Sequence, residues 1–145
     1  MKVKELVKRL GRLSEQTQSQ QLFRILLENE EAVIEYNRNQ LLSGIKSDGQ
    51  STGRYASPNY AVRKKSLNSK GVVDLKLTGQ FHDGFFIKAT SFPVIFSSLD
   101  SKTDMLKDKY GSTIFGLTEQ SKSKLAREVV KPALVDYYKK TLGVR

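Results

Sequence analysis

The chain has 145 residues, 38% of them hydrophobic and 28% charged, which is apolar material for one core and implies a single domain, 1–145. It contains no cysteine, which excludes disulfides, thiolate metal sites and thiol nucleophiles and permits a reducing compartment. No apolar run approaches the roughly 20 residues that cross a bilayer. The start, MKVKELVKRLGRL, interleaves charge with Leu and Val where a signal peptide carries an unbroken apolar block. The expectation is a soluble, unprocessed protein with no membrane partner.

The net charge of +10 is unevenly spread: +4 over 1–13, −3 over 14–45, +5 over 46–76, −1 over 77–120 and +5 over 121–145. Such a field favours polyanions or an acidic protein surface. The same lysines and arginines also suit the plain role of solvating helix faces, and composition does not choose between the two.

Val3, Leu6, Val7, Leu10 and Leu13 recur at helical spacing against Lys4, Lys8, Arg9 and Arg12, predicting a short amphipathic helix that ends near Gly11. From about Gln18 a second pattern, Leu22, Ile25, Leu26, Val33, Tyr36 and Leu41, predicts one long acidic helix carrying Glu28, Glu30, Glu31 and Glu35, with Gly44 as its C-cap. Together these form a helical part, 1–43.

Residues 44–73 hold four glycines with many Ser, Asn and Lys and no sustained period, and read as a long basic loop. A loop of that length is rare in a compact domain unless it binds something or folds against a neighbour. Its centre interleaves Tyr55 and Tyr60 with Arg54, Arg63, Lys64 and Lys65. Rings beside cations suit single-stranded nucleic acid, and the same residue types are enriched at protein interfaces; the interface is the reading adopted.

The remainder, 74–145, is predicted to hold a strand pair and C-terminal helices. Asp74-Leu75-Lys76-Leu77 alternates briefly, Thr78 is placed to cap a helical turn through Gln80 to Asp83, and Gly84 to end it. The runs 85–89 (FFIKA) and 94–98 (VIFSS), linked through Pro93, are the candidates for an antiparallel pair. A helix from Asp100 or Ser101 ends at Tyr110-Gly111. The last helix begins at the N-cap Thr118 and carries Leu125, Val129, Val130, Ala133, Leu134, Tyr137 and Tyr138 at spacings of three and four. Pro132 lies inside it and predicts a kink or a break near Lys131. The fold class is therefore α+β, with N-terminal helices, a long loop, a short antiparallel sheet and a long kinked C-terminal helix.

No constellation for chemistry stands out. The only histidine, His82, adjoins Asp83, and neighbours on a helical turn point about 100° apart, a poor dyad; a local cap or surface role is expected. One imidazole and scattered carboxylates match no zinc or calcium spacing. The SDGQSTG stretch at 47–53 lacks the Gly-Lys-Ser/Thr ending of a phosphate loop and reads as a pair of turns. The serines have no histidine base nearby and no GxSxG elbow. The glutamates at 28–35 form a solvated or partner-facing stripe. Tyr137, Tyr138 and Phe81, Phe85, Phe86, Phe92 and Phe96 read as core or interface material, and the core is the assignment adopted. No catalytic residue, cofactor or metal is expected.

In order along the C-terminal half stand Leu75 to Gly79 as a Leu-x-x-Thr-Gly start, a small turn, two short strands, Lys109-Tyr110-Gly111, and Ile114-Phe115-Gly116-Leu117-Thr118-Glu119 leading into a long terminal helix. Over about residues 74–131 this order resembles the tail-completion and virion-morphogenesis proteins of tailed bacteriophages. The chain departs from that pattern in Gly111-Ser112-Thr113, where the family's approach to the last hinge is proline-rich, and in its longer, more basic loop. The resemblance implies a non-enzymatic structural subunit of the virion neck or tail, made in the bacterial cytoplasm, with Thr78, Gly79, Gly111, Gly116, Leu117 and Thr118 as turn and hinge residues. It further implies a homo-oligomeric ring between portal or connector and tail proteins, with incidental contact to DNA. The interface candidates are Arg54, Tyr55, Tyr60, Arg63, Lys64 and Lys65 in the loop and Glu28, Glu31 and Glu35 on the acidic helix. The alternative reading is a small basic nucleic-acid-binding protein.

Overall fold

The structure is a computed structural model that describes residues 2–11, 15–55, 72–76 and 79–145. Helix α1 (Val3–Leu10) is followed by α2 (Glu15–Glu28) and α3 (Glu30–Leu42), a one-turn helix α4 (Gln80–Asp83), strands β1 (Phe85–Lys88) and β2 (Ile95–Ser98), and α5 (Thr103–Tyr110). A 3₁₀ turn (Ser112–Ile114) leads into α6 (Glu119–Leu125), a π-helical turn (Ala126–Val130) and α7 (Lys131–Leu142). The α+β class is as the sequence patterns imply.

The long acidic helix expected from Gln18 to Leu41 is two helices. The chain breaks at Asn29 (φ −112°, ψ 26°), whose backbone N–H and side-chain Nδ2 both donate to the carbonyl of Ile25, at 3.1 and 2.9 Å. An Asx side chain competing for the backbone is a known way to end a helix, and apolar periodicity runs through it unmarked. The break lets the apolar stripes of both helices meet one core of Leu26, Val33, Ile34, Leu41, Phe81, Phe85, Ile87, Ala89, Ile114, Leu117 and Leu125.

At the end of α3 Gly44 (φ +72°) closes a Schellman motif, with Gly44 N–H bound to Leu41 O at 2.8 Å and Ile45 N–H to Gln40 O at 2.9 Å. The loop then makes two turns. Ile45 bridges Ser51, and the Asp48 carboxylate accepts from the Gln50 N–H at 3.0 Å. Thr52 N–H returns to Gly44 O, and Val73 N–H bonds Gly53 O, both at 2.9 Å. The alternation read at residues 74–77 is not a strand: Leu75 has φ +60°, and Leu77 lies outside the described residues.

β1 and β2 pair antiparallel, with Phe85 opposite Ser98 and Lys88 opposite Ile95. Phe85 and Ile87 point into the core, where β1 lies against α3. The rings of Phe81, Phe85 and Phe115 contact one another at centroid distances of 5.0 to 5.7 Å. Phe96 is partly buried against this core, whereas Phe92 departs from its core assignment and is 60% exposed, its ring 4.7 Å from Phe23. Tyr137 and Tyr138 are half-buried.

Thr118 caps α6 as expected, its Oγ1 accepting from Ser121 N–H at 3.1 Å. The predicted disturbance before Pro132 takes the form of the π turn. Proline offers no N–H to the preceding turn and its ring crowds the carbonyl there; widening the spiral absorbs both, and the helix resumes at Lys131.

Helix α1 forms as predicted and ends at Gly11, yet none of its residues is buried. Val3, Val7 and Leu10 face solvent, while Leu6 and Arg9 are half-buried, Arg9 donating to the Leu142 carbonyl at 3.0 Å where α1 meets α7.

A Cβ at position 44 would stand 2.5 Å from a Val72 methyl and require a left-handed backbone. Gly44→Ala is therefore expected to destabilise the fold by about 2 kcal/mol or more, measured as a lowered denaturation midpoint in urea with an unchanged slope.

Candidate functional site

The candidate site is built around α3, whose polar side chains reach four other parts of the chain. Asn37 is fully buried; its Nδ2 donates to Ile114 O and its Oδ1 accepts from Gly116 N–H, both at 3.0 Å. One helical turn on, Gln40 Nε2 donates to Gly116 O at 3.0 Å and its Oε1 accepts from Thr118 N–H at 2.9 Å. Two amides spaced three apart thus satisfy the irregular backbone of 114–118 as a neighbouring strand would. Gly116 (φ +102°) turns the chain between these contacts, and Leu117 drives into the core. Tyr36 Oη donates to Glu128 Oε2 at 2.6 Å, tying α3 to the π turn; that bond to a carboxylate, then burial, raises the phenol's pKa.

On the other flank Arg38 donates from Nε to His82 O at 2.8 Å and from Nη1 to Glu31 and, at 3.1 Å, to Glu35. Glu28 is bound by Arg24 at 2.7 Å, and Glu30 accepts the Ile87 N–H of β1 at 3.0 Å. The acidic stripe is therefore partly neutralised within the chain, while Glu28, Glu31 and Glu35 keep 57%, 78% and 49% of their side-chain surface exposed. Between α3 and α6 runs an open groove of about 770 Å³ bordered by Glu35, Tyr36, Gln40, Thr118, Ser121 and Lys124.

His82 corrects the surface role expected of it. It is 3% exposed, lies parallel to the Phe85 ring at 5.5 Å and edge-on to Phe81, and its Nε2 meets the Asp74 carbonyl at 2.8 Å. Nδ1 is buried without a hydrogen-bond partner. Bonding to a carbonyl requires Nε2 to carry the proton; a second proton on Nδ1 would be a charged donor buried without an acceptor, and burial accordingly holds the ring's pKa below the ordinary 6.5. Asp74 in turn accepts from Tyr55 Oη at 3.1 Å and from the Lys76 N–H at 2.9 Å. The histidine thereby ties Asp74, where the basic loop ends, and through it Tyr55 within the loop, to the aromatic core.

Of the loop residues singled out in the sequence, Arg54 is exposed and Tyr55 is half-buried against Asp74. Tyr60, Arg63, Lys64 and Lys65 lie outside the described residues, as does Thr78. The helix it was to cap starts instead at Gly79 (φ +90°), and Gly111 (φ +91°) turns the chain out of α5. Asn37 and Gln40 escape the sequence reading, which notices His82 and gives it a local cap or surface role. The signal for the first two was available: they share the helical spacing of Val33 and Leu41, so they are amides placed on a buried face. Among the described residues no group of three or more His, Asp or Glu side chains stands close enough to hold a metal ion.

Asn37→Ala leaves the Ile114 carbonyl and the Gly116 N–H buried without partners and opens a void. The expected loss is about 3 kcal/mol, read from urea unfolding. For His82 the native pKa lies below the unfolded value of 6.5, so the unfolded chain binds the extra proton first; the stability due to the neutral ring is complete above 6.5 and is lost as pH falls through the native value. The thermal midpoint of the wild type should drop more between pH 7.5 and 5 than that of His82→Gln, whose amide can keep the bond to Asp74 without titrating; equal drops would refute the assignment.

No family model matches this chain, and neither a curated protein nor a solved structure resembles it at a significant level.

Proposed function

We propose that this chain is a structural ring subunit of a tailed-phage virion, placed at the neck or in tail completion between portal and tail. The observation that carries the reading is the bare apolar face of α1, with Val3 77% and Val7 61% exposed on a helix that also bears Lys4 and Lys8. Beyond the contact of Leu6 and Arg9 with α7, a face so built meets no partner among the described residues and matches a second surface of opposite charge. Glu28, Glu31 and Glu35 supply one on the opposite-signed segment, so α1 of one copy meets the α2–α3 surface of the next. Head-to-tail contacts of this kind close into rings when the rotation allows, and opposite charges set their register and rate more than their strength. The ordered Leu-x-x-Thr-Gly, Tyr-Gly and Phe-Gly-Leu-Thr segments support the same reading. Gly79, Gly111 and Gly116 all have positive φ, the conformation that explains why glycine stands at each.

The second reading, a nucleic-acid-binding protein, is favoured by the +10 charge and by the exposed Arg54 at the start of the basic loop. Titration with single-stranded DNA at two salt concentrations separates them: binding retained at physiological salt supports that reading, and loss near that salt leaves only nonspecific attraction.

Native mass spectrometry of the purified protein, and electron microscopy of particles that carry its gene, should find a cyclic assembly. Val7→Asp should weaken that assembly roughly tenfold or more while leaving the circular dichroism spectrum and unfolding midpoint unchanged, because Val7 contributes little to the monomer's core. Particles that lack the protein altogether would overturn the reading.

A further inference from the structure

The sheet has one finished side and one unfinished side. β1 lies against α3 and has its Ile87 N–H taken by Glu30. On β2 the Leu99 N–H bonds Gly84 O at 2.9 Å, continuing the ladder. With a period of two, the backbone groups of Ile95, Ser97 and Leu99 face β1, and those of Val94 and Phe96 face outward. Ser98 O, on the outer side, already accepts from Thr103 Oγ1 at 3.1 Å. The N–H and C=O of Val94 and Phe96 have no strand partner among the described residues.

Soluble proteins protect such an edge with lysines, prolines within the strand, or bulges. This edge has none of these across Val94 to Leu99. Residues 89–99 form the longest run without a charged side chain in a sequence that is 28% charged. Phe92, Ile95 and Leu99 along it are 60%, 53% and 81% exposed. In a molecule of net charge +10, most surfaces of two copies repel; this strip brings no like charges together. The α1 face does not share that property, since pairing it with itself opposes lysines.

We propose that the outer edge of β2 pairs antiparallel with β2 of a second copy, making one four-stranded sheet across a twofold axis. The free groups fix the register. Val94 of each strand exchanges both backbone hydrogen bonds with Phe96 of the other, four bonds in all, and Ile95 stands directly opposite its own symmetry mate. β-branched residues directly opposite one another are a stabilising cross-strand pair, and a two-stranded sheet gains independent stability on becoming wider. The contact is isologous and closes on a dimer. It therefore stands apart from the head-to-tail contact proposed for α1 and does not depend on the neck assignment.

The test is sedimentation velocity of the purified full chain up to roughly 100 μM, with amide hydrogen exchange at low and high concentration. The wild type should show a dimer that dissociates on dilution, and the amides of Val94 and Phe96 should gain protection with concentration while that of Ser97, bonded within the hairpin, does not. Ile95→Lys sets two cations opposite each other at a position exposed in the monomer. It should weaken the dimer roughly tenfold or more, whereas Ile95→Thr, neutral and β-branched, keeps it. A monomer at every concentration, an association that Ile95→Lys leaves intact, or Phe96 protection independent of concentration would each overturn the pairing. So would protection that appears only on adding an extended peptide of another sequence. Val7→Asp leaves this dimer unchanged, so failure of the ring and failure of the sheet contact are told apart.

Discussion

Four hydrogen bonds from two amide side chains hold the two halves of this molecule in register. Asn37 and Gln40 sit one turn apart on α3 and together satisfy the backbone of Ile114, Gly116 and Thr118. An irregular segment against a helix has no ladder to complete, and its N–H and C=O groups would be costly to bury unpaired. Borrowed amides solve that problem, and so the start of α6, the insertion of Leu117 and the direction of the whole C-terminal helix follow from where α3 lies.

The same helix carries three further long-range polar contacts. Glu30 holds the edge of β1, Tyr36 the π turn, and Arg38 the carbonyl of His82. α3 is thus less a surface helix than a central strut, and its exposed glutamates are what remains after its arginine partners have been served. This bears on assembly: a rigid acidic face that is already ordered by Arg24 and Arg38 loses little freedom when a basic neighbour docks, and preorganisation of that kind is where interfaces gain strength.

Two unfinished surfaces stand out among the described residues, and they differ in character. The α1 face is apolar within a basic surround and asks for a partner of opposite charge. The β2 edge is apolar and neutral and is compatible with its own copy. The proposed ring and sheet contacts use one surface of each sort, so neither would set like charges against each other in a chain of high positive charge.

Local pattern in the amino-acid order determined much of the architecture: the α+β class, the two strands and their pairing, Thr118 as a cap, Gly44 as a C-cap, the disturbance before Pro132 and the amphipathic character of α1. Each of these depends on neighbours within a few positions, through period, capping chemistry or proline's missing donor. The separation of α2 and α3 at Asn29 is local as well, made by that residue's own bonds to Ile25, but apolar period does not show it. Tertiary structure alone decided that His82 is buried against Phe85, that Phe92 stays outside, and that the α1 stripe faces water. Those outcomes turn on which groups arrive from distant parts of the chain. An amide at position 37 is polar by any local measure, and only the arrival of residues 114–116 makes the core its place; an apolar stripe is buried only if another surface comes to meet it.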